Sequence, residues 1–319
     1  MTADAPFHSV HPEPLRRKVR AAGLRMLARA AGAAPPPLVQ ACLTQVAPLA
    51  LRQRQHEATA RNLSAAAGWL DDLEPGLGAR LAGDPSALTR RCGRFAAEQF
   101  THWIRLARGA GPGDRRGAWV DDLVHLDPSI ETLDRALAGG RGAIIVTAHL
   151  GDWELLCARL RRRGHEGAVV GRVRRRDSSH RWLVDMRRAY GVETIPQDAG
   201  AREALGVLKR GGVLGLVTDL QVPRLDNRQV PFFGAPAPTM TAPASFARAW
   251  RAPLIPVRCV RSDGRYVLSV EEPLELRRDL DRGDAELDLL RRQNEVFGRW
   301  IAATPEQWAW YLPRYSTPG

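Results

Sequence analysis

Beyond about residue 118, short apolar runs alternate with segments whose apolar positions recur at helical spacing. The runs are rich in β-branched residues and end at turn residues, as strands do. The predicted strands are 143–148, 167–173, 192–196 and 213–219, and the helices between them are 153–164, 178–191 and 201–212. Strands separated by helices of this length form βαβ units. We therefore expect an α/β fold with a largely parallel sheet flanked by helices.

The same pattern continues on both sides of this repeat. Asp127 and Pro128 indicate a helix start, and Gly139 and Gly140 a helix stop. Towards the end, 252–260 and 265–274 are predicted to form a strand hairpin, and a last helix is predicted over 281–303.

The first part of the chain has helical periodicity and almost no β-branched runs, and a glycine- and proline-marked stretch, 109–118, follows it. We predict two domains, a helical N-terminal region over 1–118 and an α/β core over 119–319. Within the first, 15–26 has apolar positions at helical spacing beneath several basic residues. This pattern is typical of a helix that lies on anionic lipid, and equally of a helix docked on the core with a solvated basic face.

Composition limits the classes of function. The hydrophobic content of 44% is that of an ordinary globular protein, and the net charge of +12 favours acidic partners. Because only Lys18 and Lys209 are lysine, the arginine-rich bias of a GC-rich genome explains part of that charge. The scattered cysteines predict neither disulfides nor a metal site. Prolines interrupt the longest uncharged stretch, 30–51, and the first residues lack a secretory pattern, so we expect neither a membrane span nor export.

His149 ends the apolar run 143–148, and a carboxylate, Glu154, follows five residues later. Residues five apart do not meet on one helix, but they can if His149 lies in a turn and Glu154 in the first helical turn. A carboxylate that accepts from one imidazole N–H leaves the other nitrogen free to act as a general base. The alternative is that Glu154 only favours the helix N-terminus and that His149 is a polar strand end.

Four segments occur in an order that resembles the bacterial lipid A biosynthesis acyltransferases, within the wider glycerolipid acyltransferase superfamily. They are "TAHLGDWELL", "VPFFGAPAP", "APLIPV" and "PEQWAWYLPRY", and "ARNL" at 60–63 is similar to the family's N-terminal signature. The resemblance implies transfer of an acyl chain from an acyl carrier protein thioester to a glycolipid hydroxyl. It also implies that His149 is the base and Glu154 its orienting carboxylate.

The resemblance further implies substrate-binding roles for Arg172, Asp219, Phe233 and Gly234. An arginine at position 172 can hold a phosphate or stabilise an oxyanion, although a solvated arginine is the simpler interpretation. Core packing is the alternative for Phe233, and a cap or turn for Asp219. The chain departs from the family pattern at Leu220, which follows Asp219, and after Trp310, where a histidine-containing basic run is usual. These departures affect the predicted acceptor.

We therefore predict an O-acyltransferase that needs no metal and no cofactor. Its predicted partners are acyl carrier protein as the acidic donor, or acyl-CoA in its place, a lipid A precursor or related glycolipid, and the membrane surface. Its predicted location is the cytoplasmic face of the inner membrane, bound peripherally. The basic clusters 161–163 and 172–176 are candidates for docking these anionic partners, with solvated helix ends as the alternative. Trp308, Trp310 and Tyr311 suit a lipid interface or, more simply, the core.

Two other classes of function compete with acyl transfer. A nucleic-acid-binding protein is suggested by the charge, but the sequence contains no recognised DNA- or RNA-binding motif. A thioesterase or other hydrolase would use His149 to activate water, but the sequence has neither a G-x-S-x-G nor an H-E-x-x-H motif.

Overall fold

A seven-stranded sheet forms the centre of the computed structural model, which describes residues 35–172, 178–197, 201–222 and 225–315. The strand order is β1-β9-β8-β2-β5-β3-β4. The last five strands of that order are mutually parallel, whereas β9 is antiparallel to β8 and parallel to β1. The strands are β1 Val124–Leu126, β2 Ala143–Thr147, β3 Gly167–Gly171, β4 Glu193–Pro196, β5 Val213–Val217, β6 Asn227–Phe232, β7 Ala235–Met240, β8 Leu254–Ser262 and β9 Arg265–Val270.

Eleven α-helices lie within the described residues and surround this sheet. They are α1 Pro36–Val46, α2 Gln53–Leu73, α3 Leu77–Gly83, α4 Pro85–Leu106, α5 Ala118–Leu123, α6 Ile130–Ala138, α7 Trp153–Arg162, α8 Ser178–Ala189, α9 Ala201–Lys209, α10 Ala242–Trp250 and α11 Arg282–Ala303. The predicted α/β fold class and the largely parallel sheet are thus confirmed.

The helices of the N-terminal region share the hydrophobic core of the sheet. Leu63 and Leu70 of α2 and Leu88 of α4 are buried in one cluster with Ile144 of β2. A second cluster covers the other face of the sheet and includes Ile145, which neighbours Ile144 and points the opposite way. Both faces of the central strands are therefore buried, which explains why β2 reads as a continuous apolar run.

Two features of the sheet were not predicted from the sequence. The short edge strand β1 pairs with β9, and β6 and β7 form a separate antiparallel hairpin. That hairpin contains Pro231, Pro236 and Pro238, and proline lacks the N–H that strand pairing uses. The prolines are tolerated because the hairpin has only two strands.

Within the described residues, every helix is too short or too polar to cross a bilayer. The predicted basic segment over 15–26 lies outside the described residues.

Candidate active site

His149 and Asp219 meet at the carboxyl edge of the parallel sheet. Strands β2 and β5 are paired so that Thr147 lies beside Val217, and the backbone N–H of Thr218 donates to the carbonyl of Thr147. His149 and Asp219 each follow these paired ends by two residues. Parallel strands end at the same edge, and their register therefore places the two side chains together.

Two hydrogen bonds join His149 and Asp219. Nδ1 of His149 lies 2.8 Å from Oδ1 of Asp219, and the backbone N–H of His149 donates to Oδ2 at 2.9 Å. Because an ionised carboxylate only accepts, Nδ1 carries the hydrogen, and in the neutral imidazole Nε2 then has a free lone pair. The side chain of His149 is 34% exposed, whereas that of Asp219 is fully buried. This is the arrangement of a general base with its orienting carboxylate.

Asp219 stays ionised despite its burial. Burial alone would raise its pKa, but the charge of His149 and the hydrogen bonds from His149 and Trp308 outweigh it, and the net pKa is lowered. Trp308 contributes its indole N–H, which donates to Oδ2 at 2.7 Å. This contact of Trp308 with Asp219 was not predicted from the sequence. It is 1% exposed, so the core alternative holds for Trp308 rather than the lipid interface.

Gly151 allows the chain to turn sharply between His149 and helix α7. Its φ is +60°, and a Cβ atom there would lie 1.9 Å from the carbonyl oxygen of Cys259. No other residue fits this position. The carbonyl of His149 accepts from Ala309, the N–H of Gly151 donates to Gln307, and Asp152 caps α7 by accepting from the N–H of Leu155.

The predicted pairing of His149 with Glu154 is wrong, because each residue has another partner. Glu154 is fully buried in the first turn of α7, and its Oε1 accepts from Nη2 of Arg187 at 2.7 Å. The hydroxyl of Tyr190 donates to Oε2. Burial alone would lower the pKa of Arg187, but the charge of Glu154 outweighs it and the net pKa is raised. Glu154 thus joins α7 to α8 through a buried ion pair.

Arg172 directly follows β3 and is exposed. Its carbonyl oxygen lies 2.8 Å from Nδ1 of His180. Because β3 runs parallel to β5 in the sheet, Arg172 lies at the same edge as Asp219. Its substrate-binding role stays a prediction.

The basic cluster 161–163 lies at the opposite edge, where α7 ends. Arg162 pairs with Asp121, Arg163 with Asp134, and Arg161 lies within 3.7 Å of Glu166. Because these arginines already have carboxylate partners, they fit solvated helix ends better than a surface that docks anionic partners. Arg161 and Glu166 also line a cavity of about 270 Å³ at the amino ends of β3 and β5, which is remote from His149. Residues 173–176 of the other basic cluster lie outside the described residues.

Phe233 and Gly234 form the two-residue turn between β6 and β7. Their φ values are +49° and +74°, the positive values of a type I′ turn. Phe233 is 4% exposed, stacks on Trp310 at 5.6 Å and meets Trp69 edge-on at 5.3 Å. Phe233 is therefore packed in the core, as the alternative interpretation expected. The substrate-binding roles of Phe233 and Gly234 stay predictions.

The C-terminal segment supplies a buried cation behind Asp219. Arg314 is fully buried, donates to the carbonyl of Pro238 and the hydroxyl of Thr239, and lies over the ring of Phe232. Burial lowers its pKa to about 10. The sequence departs from the family pattern here, but the segment still packs against the site through Arg314 and Trp308.

The side chain of His149 is placed at this edge of the sheet where it can act as a base. Among the described residues, no group of three or more His, Cys, Asp or Glu side chains is placed to hold a metal ion. Cys92, Cys157 and Cys259 are buried free thiols whose pKa values burial raises, while Cys42 is exposed. His149 is thus the group at this edge that is suited to taking a proton from a bound hydroxyl.

The chain is similar in sequence to known acyltransferases. The family model of bacterial lipid A biosynthesis acyltransferases matches residues 118–317. Among curated relatives, a phosphatidylinositol mannoside acyltransferase of Mycobacterium tuberculosis (strain H37Rv) is 27% identical over 190 residues, 58% of each chain. The chain thus spans little more than half the length of that relative. Another, from Mycolicibacterium smegmatis, is 27% identical over 282 residues, 86% of this chain and 88% of the relative. Since the family model covers well over half of the sequence, the chain belongs to the bacterial lipid A biosynthesis acyltransferase family.

Proposed function

We propose that the protein transfers a fatty acyl group from a thioester to a hydroxyl of an anionic membrane glycolipid. The observation that carries this proposal is the contact between Nδ1 of His149 and the buried carboxylate of Asp219 at the open edge of the sheet. Family membership and the names of the relatives support acyl transfer as the reaction.

The reaction uses His149 as the base and Asp219, instead of Glu154, as its orienting carboxylate. Nε2 of His149 removes the hydroxyl proton as the oxygen attacks the thioester carbonyl. The tetrahedral intermediate then collapses, the carbon–sulfur bond breaks, and the imidazolium returns the proton to the leaving thiolate. Asp219 stabilises the imidazolium between these steps. Arg172, at the same edge, is our candidate for holding the phosphate of the acceptor or the oxyanion.

The acceptor we propose first is a phosphatidylinositol mannoside, because the curated relatives carry that name. A lipid A precursor is the other candidate, and both present sugar hydroxyls close to a phosphate. The net charge of +12 suits these anionic lipids and an acidic acyl carrier protein. Acyl-CoA is the alternative donor with the same thioester chemistry.

Catalysis is tested by incubating the purified protein with a radiolabelled long-chain thioester and each acceptor. One arm uses acyl carrier protein and the other coenzyme A, and the lipid product is identified by mass spectrometry. Asp219→Asn should lower kcat about 10⁴-fold, because an amide favours the wrong imidazole tautomer, and His149→Ala should abolish transfer. His125→Ala, which changes an exposed histidine of β1, is the control. Wild-type turnover in His149→Ala would refute the mechanism, and hydrolysis of the thioester without lipid acylation would favour a thioesterase.

We further propose that the protein binds the membrane peripherally through α1 and the turn that follows it. Leu38, Val46 and Leu49 are 57%, 58% and 84% exposed. The stretch 35–51 contains no charged residue. An exposed apolar helix face of this kind is typical of helices that lie in the membrane interface.

Arginines border this apolar face. Arg52 and Arg54 follow it directly, and Arg90, Arg91 and Arg94 are exposed on α4, against which α1 packs. Apolar side chains flanked by arginines complement an anionic lipid surface.

Sedimentation with vesicles of anionic and of neutral phospholipid tests this membrane surface. Leu38→Ser combined with Leu49→Ser should release the protein from anionic vesicles. Leu287→Ser, which changes an exposed leucine of α11, should not. If the wild type and both variants sediment equally with anionic vesicles, the protein does not bind the membrane through α1.

A further inference from the structure

A second histidine–aspartate pair lies beside the turn that carries His149. Nδ1 of His102, on α4, lies 2.9 Å from Oδ2 of Asp152. The indole N–H of Trp103 donates to the other carboxylate oxygen at 3.2 Å. Asp152 is fully buried and the side chain of His102 is only 7% exposed. Because an ionised carboxylate only accepts, Nδ1 of His102 carries a hydrogen and donates it.

Helix α4 also holds the backbone of the same turn. The side-chain amide of Gln99 donates to the carbonyl oxygen of Gly151. Gln99, His102 and Trp103 thus present three side-chain donors from one helix to the two residues Gly151 and Asp152. These two residues join His149 to helix α7.

Beyond those within α7, further hydrogen bonds of the turn come from the sheet and the C-terminal segment. The N–H of Asp152 donates to Cys259, that of Gly151 to Gln307, and that of His149 to Asp219. Hydrogen bonds therefore hold the turn from two sides, and those on one side come from α4. Helix α4 lies outside residues 118–317, the part of the chain that matches the family model.

We infer that His102 is a positioning residue for acyl transfer, acting through Asp152 on the turn that carries His149. This inference rests on the proposed function. His102 is too deeply buried to contact a substrate, so it is not a catalytic residue. The Nδ1–H of His102 donates to a carboxylate that has no access to water. Leaving a buried carboxylate oxygen without a hydrogen-bond donor costs free energy. The turn would relax to satisfy Asp152, and Nε2 of His149 would leave its aligned position.

Kinetics of two variants of His102 test the inference. His102→Leu removes the donor, and His102→Asn keeps an N–H close to the position of Nδ1. We expect His102→Leu to lower kcat about 10- to 100-fold, since small displacements of a reacting group cost that much. KM should change by less than about twofold, because substrate contacts are intact. His102→Asn should recover most of kcat. An asparagine variant no better than the leucine variant, or a leucine variant with wild-type kcat, would overturn the inference.

Leu88→Ala separates positioning from general loss of stability. Leu88 is fully buried on the same helix, and the helical rise of about 1.5 Å per residue places it roughly 21 Å along α4 from His102. Its truncation should therefore lower Tm without lowering kcat of the folded enzyme. A drop in kcat equal to that of His102→Leu would make the effect of His102 merely structural and contradict the inference.

A spectroscopic measurement decides the point without activity. In protein labelled with ¹⁵N-histidine, the hydrogen-bonded Nδ1–H of His149 is assigned by its disappearance in His149→Ala. The signal should shift or broaden in His102→Leu and persist in His102→Asn. If the wild type transfers no acyl group, the proposed function fails while this signal still reports whether His102 positions His149. An unchanged signal in His102→Leu would overturn the positioning role.

Discussion

Replacing Glu154 by Gln separates a structural carboxylate from a catalytic one. The substitution keeps the shape of the side chain and removes its charge, which leaves the guanidinium of Arg187 buried without a counterion. Arg187 also bonds Thr194 and lies over the ring of Trp153, but neither contact supplies negative charge. We therefore expect a large loss of stability and a small loss of activity.

The magnitude follows from the burial of the pair. Glu154 is fully buried and the side chain of Arg187 is 8% exposed, so solvent screens the interaction little. Breaking such a pair costs about 3–5 kcal/mol. The glutamine oxygen can still accept one hydrogen bond, which returns about 0.5–1.5 kcal/mol. The net loss in the free energy of unfolding is therefore about 1.5–4.5 kcal/mol, out of a total of about 5–15 kcal/mol for a typical protein.

Urea unfolding followed by tryptophan fluorescence measures this loss. Glu131→Gln, which removes a carboxylate lying 3.9 Å from Arg135 on the surface of α6, is the matched control and should change stability by less than about 0.5 kcal/mol. The double variant Glu154→Leu, Arg187→Met should be more stable than either single variant, because no unpaired charge is left.

Turnover of Glu154→Gln is measured where the variant is fully folded. It should stay within about tenfold of wild type, against a loss of about 10⁴-fold for Asp219→Asn. A Glu154→Gln protein of wild-type stability whose kcat falls as far as that of Asp219→Asn would refute this assignment of the two carboxylates.

Three further outcomes are expected. All four tyrosines, Tyr190, Tyr266, Tyr311 and Tyr315, have pKa values that burial raises, to about 12 for Tyr311. Because the folded pKa values exceed the unfolded value of about 10, their contribution to stability is complete below pH 10 and falls as the pH rises. Below about pH 12, tyrosinate absorbance should thus appear only with unfolding, and free titration near pH 10 in the folded protein would contradict this. Gly151→Ala should destabilise the protein more than Gly140→Ala and should also lower kcat. Both glycines have positive φ, but of the two only Gly151 has a backbone atom where Cβ would lie. Equal unfolding free energies of the two variants would contradict this clash. Trp308→Phe should lower kcat about tenfold by removing one hydrogen bond of about 1.5 kcal/mol to Asp219, and an unchanged kcat would show that two donors suffice.

Much of the fold could be predicted because most of its strands and helices have a clear local sequence pattern. Each central strand is a short apolar run followed by a turn and an amphipathic helix. The predicted hairpin of β8 and β9 is also present, with Asp263 and Gly264 in its turn. The hairpin of β6 and β7 could not be predicted this way, because its prolines are usually evidence against a strand. Strand β1 has only three residues, too few for a periodic pattern.

The candidate site was only half predictable. The position of His149 after an apolar run marked it as a candidate base, but its partner depends on which strands are neighbours. Asp219 lies 70 residues further along the chain, and it meets His149 only because β5 lies directly beside β2 in the sheet. The family resemblance implied Glu154 as the partner of His149. The charge of Glu154 instead neutralises Arg187, an interaction with no short-range signal in the sequence.

The two histidine–aspartate pairs differ in exposure, which favours one of them for the proposed chemistry. His149 and Asp152 lie on the same sharp turn, and each has a partner on a different element, β5 for His149 and α4 for Asp152. The side chain of His149 is 34% exposed and that of His102 only 7%. A general base must reach the proton that it removes, so only the pair of His149 and Asp219 can act on a substrate. The buried pair of His102 and Asp152 can affect the reaction only through the turn that the two pairs share.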